Sequence, residues 1–120
     1  MRHVDKRPDA EQGKPLTEPV LLILLSLANQ PRHGYALMKD IEVLSLNRVR
    51  LSTGTLYGAI RRLLEDAWIE RFDQDDTVRD KQAYRLTAAG RAHLHREVDR
   101  MKQLTRAAAL RLRTRQAQSV

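Results

Sequence analysis

The side chains able to do covalent or metal chemistry are few, and their spacing does not suit it. No cysteine occurs among the 120 residues, which excludes thiolate nucleophiles, cysteine zinc sites, iron–sulfur clusters and disulfides. His93 and His95 stand two apart on a helical stretch and point to different sides, while His93 and Glu97 share a face but lack a third ligand nearby. Ser52 and His33 have no acidic residue at a spacing that would complete a triad, and no glycine-rich loop follows a strand to hold phosphates. These patterns predict no enzyme, no metal and no cofactor. What is left suits the binding of a polyanion. Gly54 and Gly58 lie four apart with Arg61 and Arg62 just beyond. Such a face can approach another surface closely while guanidinium forks reach phosphate oxygens or guanine. Each glycine costs a helix about 1 kcal/mol relative to alanine, a cost that close approach would offset. The competing reading makes each glycine a loose first turn or a tight helix contact, and each arginine a solvated side chain.

Charge agrees with a polyanion only when its placement is followed. The formal net charge is +7. Between Arg91 and Arg115 eight Lys/Arg face only Glu97 and Asp99, but between Arg48 and Arg85 eight face seven acids. A nucleic-acid contact in the middle of the chain must therefore rest on individual residues. The chain is 42% hydrophobic with one Phe, one Trp and three Tyr, so Leu, Ala, Ile and Val must build one modest, mainly helical core. The run Val20 to Leu25 is too short for a signal core or a membrane span, and Asp5, Asp9, Glu11 and Glu18 precede it. The expected location is the cytoplasm, with no membrane helix.

These candidates need elements to hold them. Residues 1–16 carry Pro8, Gly13 and Pro15 without hydrophobic period and read as a flexible arm. Thr17 caps a first helix that stops at Asn29-Gln30-Pro31. It is apolar nearly all round, so it is expected to meet both its own core and a partner, the latter through Leu22 and Leu25. His33-Gly34-Tyr35 opens a second helix ending near Ser45, with Leu37, Met38, Ile41 and Leu44 as its buried stripe. Ser52 caps a third helix, Thr53 to about Asp66, whose buried face is Leu56, Ile60, Leu63 and Ala67. Gly54, Gly58, Arg61 and Glu65 then face outward, with Thr55 and Arg62 on one shoulder and Tyr57 on the other. Tyr57 reads either as a contact or as a partly buried shoulder residue. Trp68 to Phe72 and Gln82 to Leu86 are short and partly alternating, which predicts a hairpin. On its connection Arg79 and Lys81 are phosphate-contact candidates, or partners of the aspartates around them. Trp68 reads as core rather than as a ligand platform.

Thr87 caps a last helix reaching roughly Arg113, in which Leu94, Val98, Met101, Thr105, Ala108 and Leu112 follow steps of four and three. This is a heptad seam with one polar step, and a partner helix is its expected occupant. Packing of the stripe on its own domain is the alternative. The arginines of this helix read most simply as a solvated face.

Three helices followed by a hairpin are the plan of a winged helix, whose third helix enters the major groove. From about Leu16 to Gly90 the chain resembles the PadR family of transcriptional regulators. The resemblance rests on His33-Gly34-Tyr35 and on Leu51-Ser52-Thr53-Gly54-Thr55-Leu56-Tyr57. It continues in Arg62-Leu63-Leu64-Glu65 ahead of Trp68-Ile69-Glu70, and in Tyr84-Arg85-Leu86-Thr87-Ala88-Ala89-Gly90. It implies a winged-helix DNA reader, dimerisation by the C-terminal helix, and repression in most members. It also suggests a phosphate contact for the Tyr35 hydroxyl, with packing under the first helix as the competing reading, and favours Arg62 as a DNA contact. The sequence departs from the family at Thr53 and Gly58, where proline is frequent, and in its wing, where Asp73, Asp75, Asp76 and Asp80 stand where basic residues are common.

The expected fold is mainly α (α+β), a winged helix-turn-helix with a long C-terminal dimerisation helix. Its parts are an arm at 1–16, a winged-helix domain at 17–87, the dimerisation helix at 88–114 and a disordered tail at 115–120. The expected partners are double-stranded DNA and a second copy of the chain, with a small-molecule effector left open. The DNA-contacting set is Tyr35, Ser52, Thr53, Gly54, Thr55, Tyr57, Gly58, Arg61, Arg62, Arg79 and Lys81. A winged-helix interaction module without DNA binding is the competing function.

Overall fold

The computed structural model describes residues 15–72 and 82–119. The first helix, α1 (Glu18–Ser26), starts where the sequence places its cap: the Thr17 hydroxyl accepts from the Val20 amide at 3.4 Å. Pro19 sits in the first turn, where no N–H is needed, and Glu18 offsets the positive end of the helix dipole. A two-residue strand, β1 (Arg32–His33), leads into α2 (Gly34–Leu44). Ser52 caps α3 (Thr53–Glu65) by accepting from the Thr55 amide at 3.1 Å. Strands β2 (Ile69–Phe72) and β3 (Ala83–Leu86) follow, and α4 (Ala88–Ser119) closes the chain.

The sheet is antiparallel in the order β1-β3-β2, with Ile69 opposite Leu86, Glu70 opposite Arg85, and Arg32 opposite Tyr84. This register turns Ile69, Tyr84 and Leu86 inward and leaves Glu70 and Arg85 to pair across the outer face at 2.7 Å. The core lies where the four helices meet that inner face. Ile23 and Leu24 of α1, Leu37 and Ile41 of α2, Leu56, Ile60 and Leu63 of α3, and Leu94 of α4 are all buried there. Burial holds the Tyr84 hydroxyl above its ordinary pKa, and the nearby Tyr57 acts in the same sense, while Arg71 opposes both.

Polar contacts fix how these elements meet. Ser26, buried at the end of α1, donates to Asp40 of α2 at 2.6 Å, and Arg32 Nε donates to the Ser26 carbonyl at 2.7 Å. Thr87 accepts from the Gly90 amide at 3.0 Å, which caps α4, and donates to the Ala67 carbonyl at 2.7 Å, which ties α4 to the end of α3. A Cβ on Gly90 would run into the Trp68 carbonyl, so any larger residue here must push the two segments apart. The Trp68 ring stacks on His93 with centroids 3.9 Å apart. One turn along α4, Glu97 is buried and engaged by Arg100 Nη2 at 2.5 Å and by the Leu16 amide.

Several expectations need correction. Strand β1 was not foreseen. Ala67 is exposed, not part of the buried face: it has φ of 61° and lies just past α3 in the left-handed position of the helix-ending motif. Leu16 belongs to the domain rather than to the arm, because it packs on the core; residues 1–14 lie outside the described residues. Helix α4 runs on to Ser119 in place of a disordered tail from 115. Leu22 and Leu94, expected at a dimer interface, are only 6% exposed and belong to the protomer's own core. Among the described residues no helix is long and apolar enough to cross a membrane.

Gly90→Ala should lower stability by about 1–3 kcal/mol in urea unfolding, the usual cost of overpacking, whereas Gly54→Ala, with no atom within 4 Å of the added carbon, should not destabilise. The Arg100 hydrogen bond first, with help from the Arg100 charge, the Leu16 amide and His93, holds the Glu97 carboxyl below its ordinary pKa against the opposing effect of burial. Its stabilising contribution is therefore complete above about pH 4.3, the unfolded value, and is lost as pH falls through the lower folded value. The stability gap between the wild type and Glu97→Gln, followed by urea titration, should stay constant from neutrality to about pH 5 and close only below about pH 4.

Candidate nucleic-acid interface

The outward face of α3 is fixed by what its inward face buries. Leu56 is fully buried and Ile60 and Leu63 are 2% exposed, so the opposite side of the helix stands in solvent. Ser52, Thr53, Gly54, Thr55, Arg61 and Arg62 are exposed, and Gly58 is half-exposed. A carbon built on Gly54 or Gly58 meets no atom of the described residues within 4 Å. Among those residues neither glycine serves a tight contact. Arg61 and Arg62 form no ion pair among the described residues, so two guanidinium groups stand free beside the glycine face. At the helix start the Ser52 hydroxyl donates to Thr55 Oγ1 at 3.0 Å while accepting the Thr55 amide. Both hydroxyls are thereby held at the positive end of the helix, with no acidic residue in its first turn.

Tyr57 has two tasks. It is 39% exposed, yet its hydroxyl rests on Gly34, where an added Cβ would overlap it. The glycine of His33-Gly34-Tyr35 thus makes room for the tyrosine of α3, which holds the start of α2 beside the exposed helix. Tyr35 follows at once, is 66% exposed, and carries Lys39 Nζ at 5.6 Å from its ring centre. The candidate set Tyr35, Ser52 to Thr55, Tyr57, Gly58, Arg61 and Arg62 therefore falls on α3 and the adjoining start of α2. Arg79 and Lys81 lie outside the described residues.

On α4 the candidate seam divides. Leu94 is inside the core and Val98 packs against it. Met101 is half-buried, and Thr105, Ala108 and Leu112 are exposed. Leu104, 53% exposed, lies within about 60° of Met101 on the helical wheel and was missed by the sequence reading. Its position three after Met101 and four before Ala108 was the available signal. His93 and Glu97 do share a face, but His93 is occupied by the Trp68 ring and by Arg96, and Glu97 by Arg100 and Leu16. Among the described residues no three His, Asp or Glu side chains gather around one metal position.

The model of the Transcriptional regulator PadR-like family matches residues 23–96, which run from the end of α1 through α2, α3 and the sheet into the first turns of α4. The chain belongs to the PadR-like family of transcriptional regulators. Solved structures agree on the PadR-like winged-helix fold. A PadR family transcription regulator from Clostridium difficile R20291 superposes with a TM-score of 0.67 at 20% identity, over 80% of this chain and 99% of that one. A PadR-like transcription factor from Bacteroides fragilis gives 0.64 at 20% identity, over 88% and 96%. A transcriptional regulator from Clostridium thermocellum gives 0.63 at 21% identity, over 75% and 88%. In sequence the chain is 38% identical, over 85 residues, to an uncharacterized 37.1 kDa protein in transposon TN4556 of Streptomyces fradiae, and the match spans 23% of that protein's length.

Ser52→Ala should cost about 1 kcal/mol in urea unfolding, the usual value of a lost N-cap, while Ser52→Asp should restore most of it.

Proposed function

We propose that this PadR-like chain is a dimeric, sequence-specific DNA-binding regulator that represses transcription by occupying promoter DNA. In this reading α3 enters the major groove. The observation that carries it is the pair of glycines on α3 that meet no neighbour among the described residues, beside two arginines without an ion pair there. Among the described residues no contact accounts for either glycine; Gly54 stands in the first turn of α3, but Gly58 lies in its interior, where glycine costs the helix about 1 kcal/mol. A helix lying in a groove of duplex DNA does account for them, because small residues admit the helix close to base edges. Arg61 and Arg62 would then take guanine edges or phosphates, while Tyr35, Ser52 and Thr55 hold the backbone. Thr53, Gly54 and Gly58 line the approach.

The second copy is proposed to sit on the outer half of α4. Met101, Leu104, Thr105, Ala108 and Leu112 form one stripe there, and α1 offers Leu25 and Leu21, which are only partly covered by their own protomer. Burying each leucine is worth about 1.5–3 kcal/mol, enough in sum to offset the cost of association. A two-fold dimer would present two α3 helices about one helical turn of DNA apart, and so select an inverted repeat.

In gel shifts, affinity for a selected duplex should fall steeply with salt, with a logarithmic slope of about 0.9 per phosphate contacted. Arg61→Ala and Arg62→Ala should each cost about 1–3 kcal/mol where the side chain reaches a base. Gly58→Ala should raise stability by about 1 kcal/mol, and Gly58→Leu should abolish binding while leaving the fold intact. Unchanged binding by Gly58→Leu, or a flat salt response, would show that α3 does not enter DNA and would favour an interaction module instead. Leu104→Asp with Leu112→Asp should give folded monomers in sedimentation and a loss of duplex affinity, since both side chains are already in solvent in the protomer. A variant that stays dimeric would move the interface off α4.

A further inference from the structure

A second exposed surface lies outside both the α3 face and the α4 stripe. At the end of α2, Val43, Leu44 and Leu46 are 70%, 44% and 83% exposed. The helix ends there in a closed motif: the Asn47 amide donates to the Glu42 carbonyl at 2.7 Å and the Leu46 amide to Val43 at 3.1 Å. The motif puts Leu46 and Asn47 in the left-handed region, with φ of 55° and 65°. Glycine fills the first of these positions at least cost, since it has no Cβ to crowd the following carbonyl. The same motif after α3 uses a small residue, Ala67. After α2 the chain instead places a leucine on strained backbone and holds its side chain in water, where it does not pack on the core.

The charges around this patch are of one sign. Lys39 lies one turn before Val43, and Arg48 and Arg50 follow Leu46; all three are exposed and none forms an ion pair among the described residues. Of the nearby acids, Asp40 is already held by Ser26 and Arg32, which leaves Glu42.

We propose that the end of α2 and the turn after it form a docking surface for an acidic protein segment. That segment would set apolar side chains against Val43, Leu44 and Leu46 and pair carboxylates with Lys39, Arg48 and Arg50. The apolar anchors select protein over nucleic acid, because a phosphate backbone offers nothing to a leucine. An amphipathic helix with glutamates around a leucine stripe has the matching chemistry. The surface is centred about 12 Å along α2 from Tyr35 at 1.5 Å per residue. A partner can therefore sit at one end of the helix while the other end meets DNA.

The test titrates the 15N-labelled full chain with a synthetic amphipathic peptide carrying leucine at helical spacing and glutamate elsewhere, and with its twin carrying lysine for glutamate. The acidic peptide should give saturable shifts of the Val43, Leu44, Leu46 and Arg48 amides, and the basic twin none. Leu46→Gly should weaken the acidic peptide about tenfold or more while raising the unfolding midpoint, so the loss cannot come from a damaged fold. Leu46→Asn, which also tolerates the left-handed turn, repeats the measurement independently. No saturable binding, equal binding of the basic twin, or full binding by both Leu46 variants would overturn the proposal. So would a change in dimer dissociation or duplex affinity on Leu46→Gly, which would assign the patch to a second copy or to DNA.

Discussion

The rotation of α3 about its own axis is the constraint on which everything else depends. Leu56, Ile60 and Leu63 are buried against the other helices and the sheet, at about 1.5–3 kcal/mol each. A turn of one residue, about 100°, would expose part of this set and carry charged or hydrogen-bonding groups inward, where they would find no partners. The face that carries Gly54, Gly58, Arg61 and Arg62 is therefore outward because the opposite face is held, and it needs no interaction of its own to stay there. Around this anchor the rest of the domain works as a brace. Tyr57 on Gly34 ties α3 to the start of α2, and Thr87 on Ala67 ties its end to α4.

The glycines show how one residue type serves opposite ends. Gly34 and Gly90 are filled spaces, against the Tyr57 hydroxyl and the Trp68 carbonyl, and their lack of a side chain lets two elements touch. Gly54 and Gly58 meet no neighbour among the described residues, and what Gly58 gives up in helix stability inside α3 brings no packing there. Leu46 is the mirror case, a side chain kept where glycine would be easier on the backbone. Places where the local rules are broken without gain to the fold mark surfaces that meet something else.

Much of this was legible in the sequence. The caps at Thr17, Ser52 and Thr87 and the buried triplet of α3 follow from short-range chemistry and helical period, and the structure has them where they were read. Strand β1 was not legible, because two residues carry no period and Arg32-His33 become a strand only when β3 lies beside them. Ala67 was misplaced by extending the helical wheel past the residue where the chain turns left-handed. The end of α4 was set too early because nothing after Arg113 except polarity argued for a stop; the segment holds neither glycine nor proline. The seam of Leu94, Val98 and Met101 illustrates a deeper limit. Spacing shows that a face is apolar but not whether the protomer itself covers it, and here the covering changes along the helix. Gly34 and Gly90 matched a family pattern, but the atoms they avoid come from distant parts of the chain.

The central claim is that α3 reads duplex DNA through its glycine face as one half of a two-fold reader. The most direct measurement is selection of bound duplexes from a random library, followed by sequencing, with the wild type and the Gly58→Leu variant run side by side. The wild type should enrich an inverted repeat whose half-sites lie about one helical turn apart, and Gly58→Leu should enrich nothing. Failure of the folded wild type to enrich any sequence, or enrichment of the same repeat by both proteins, would contradict the account.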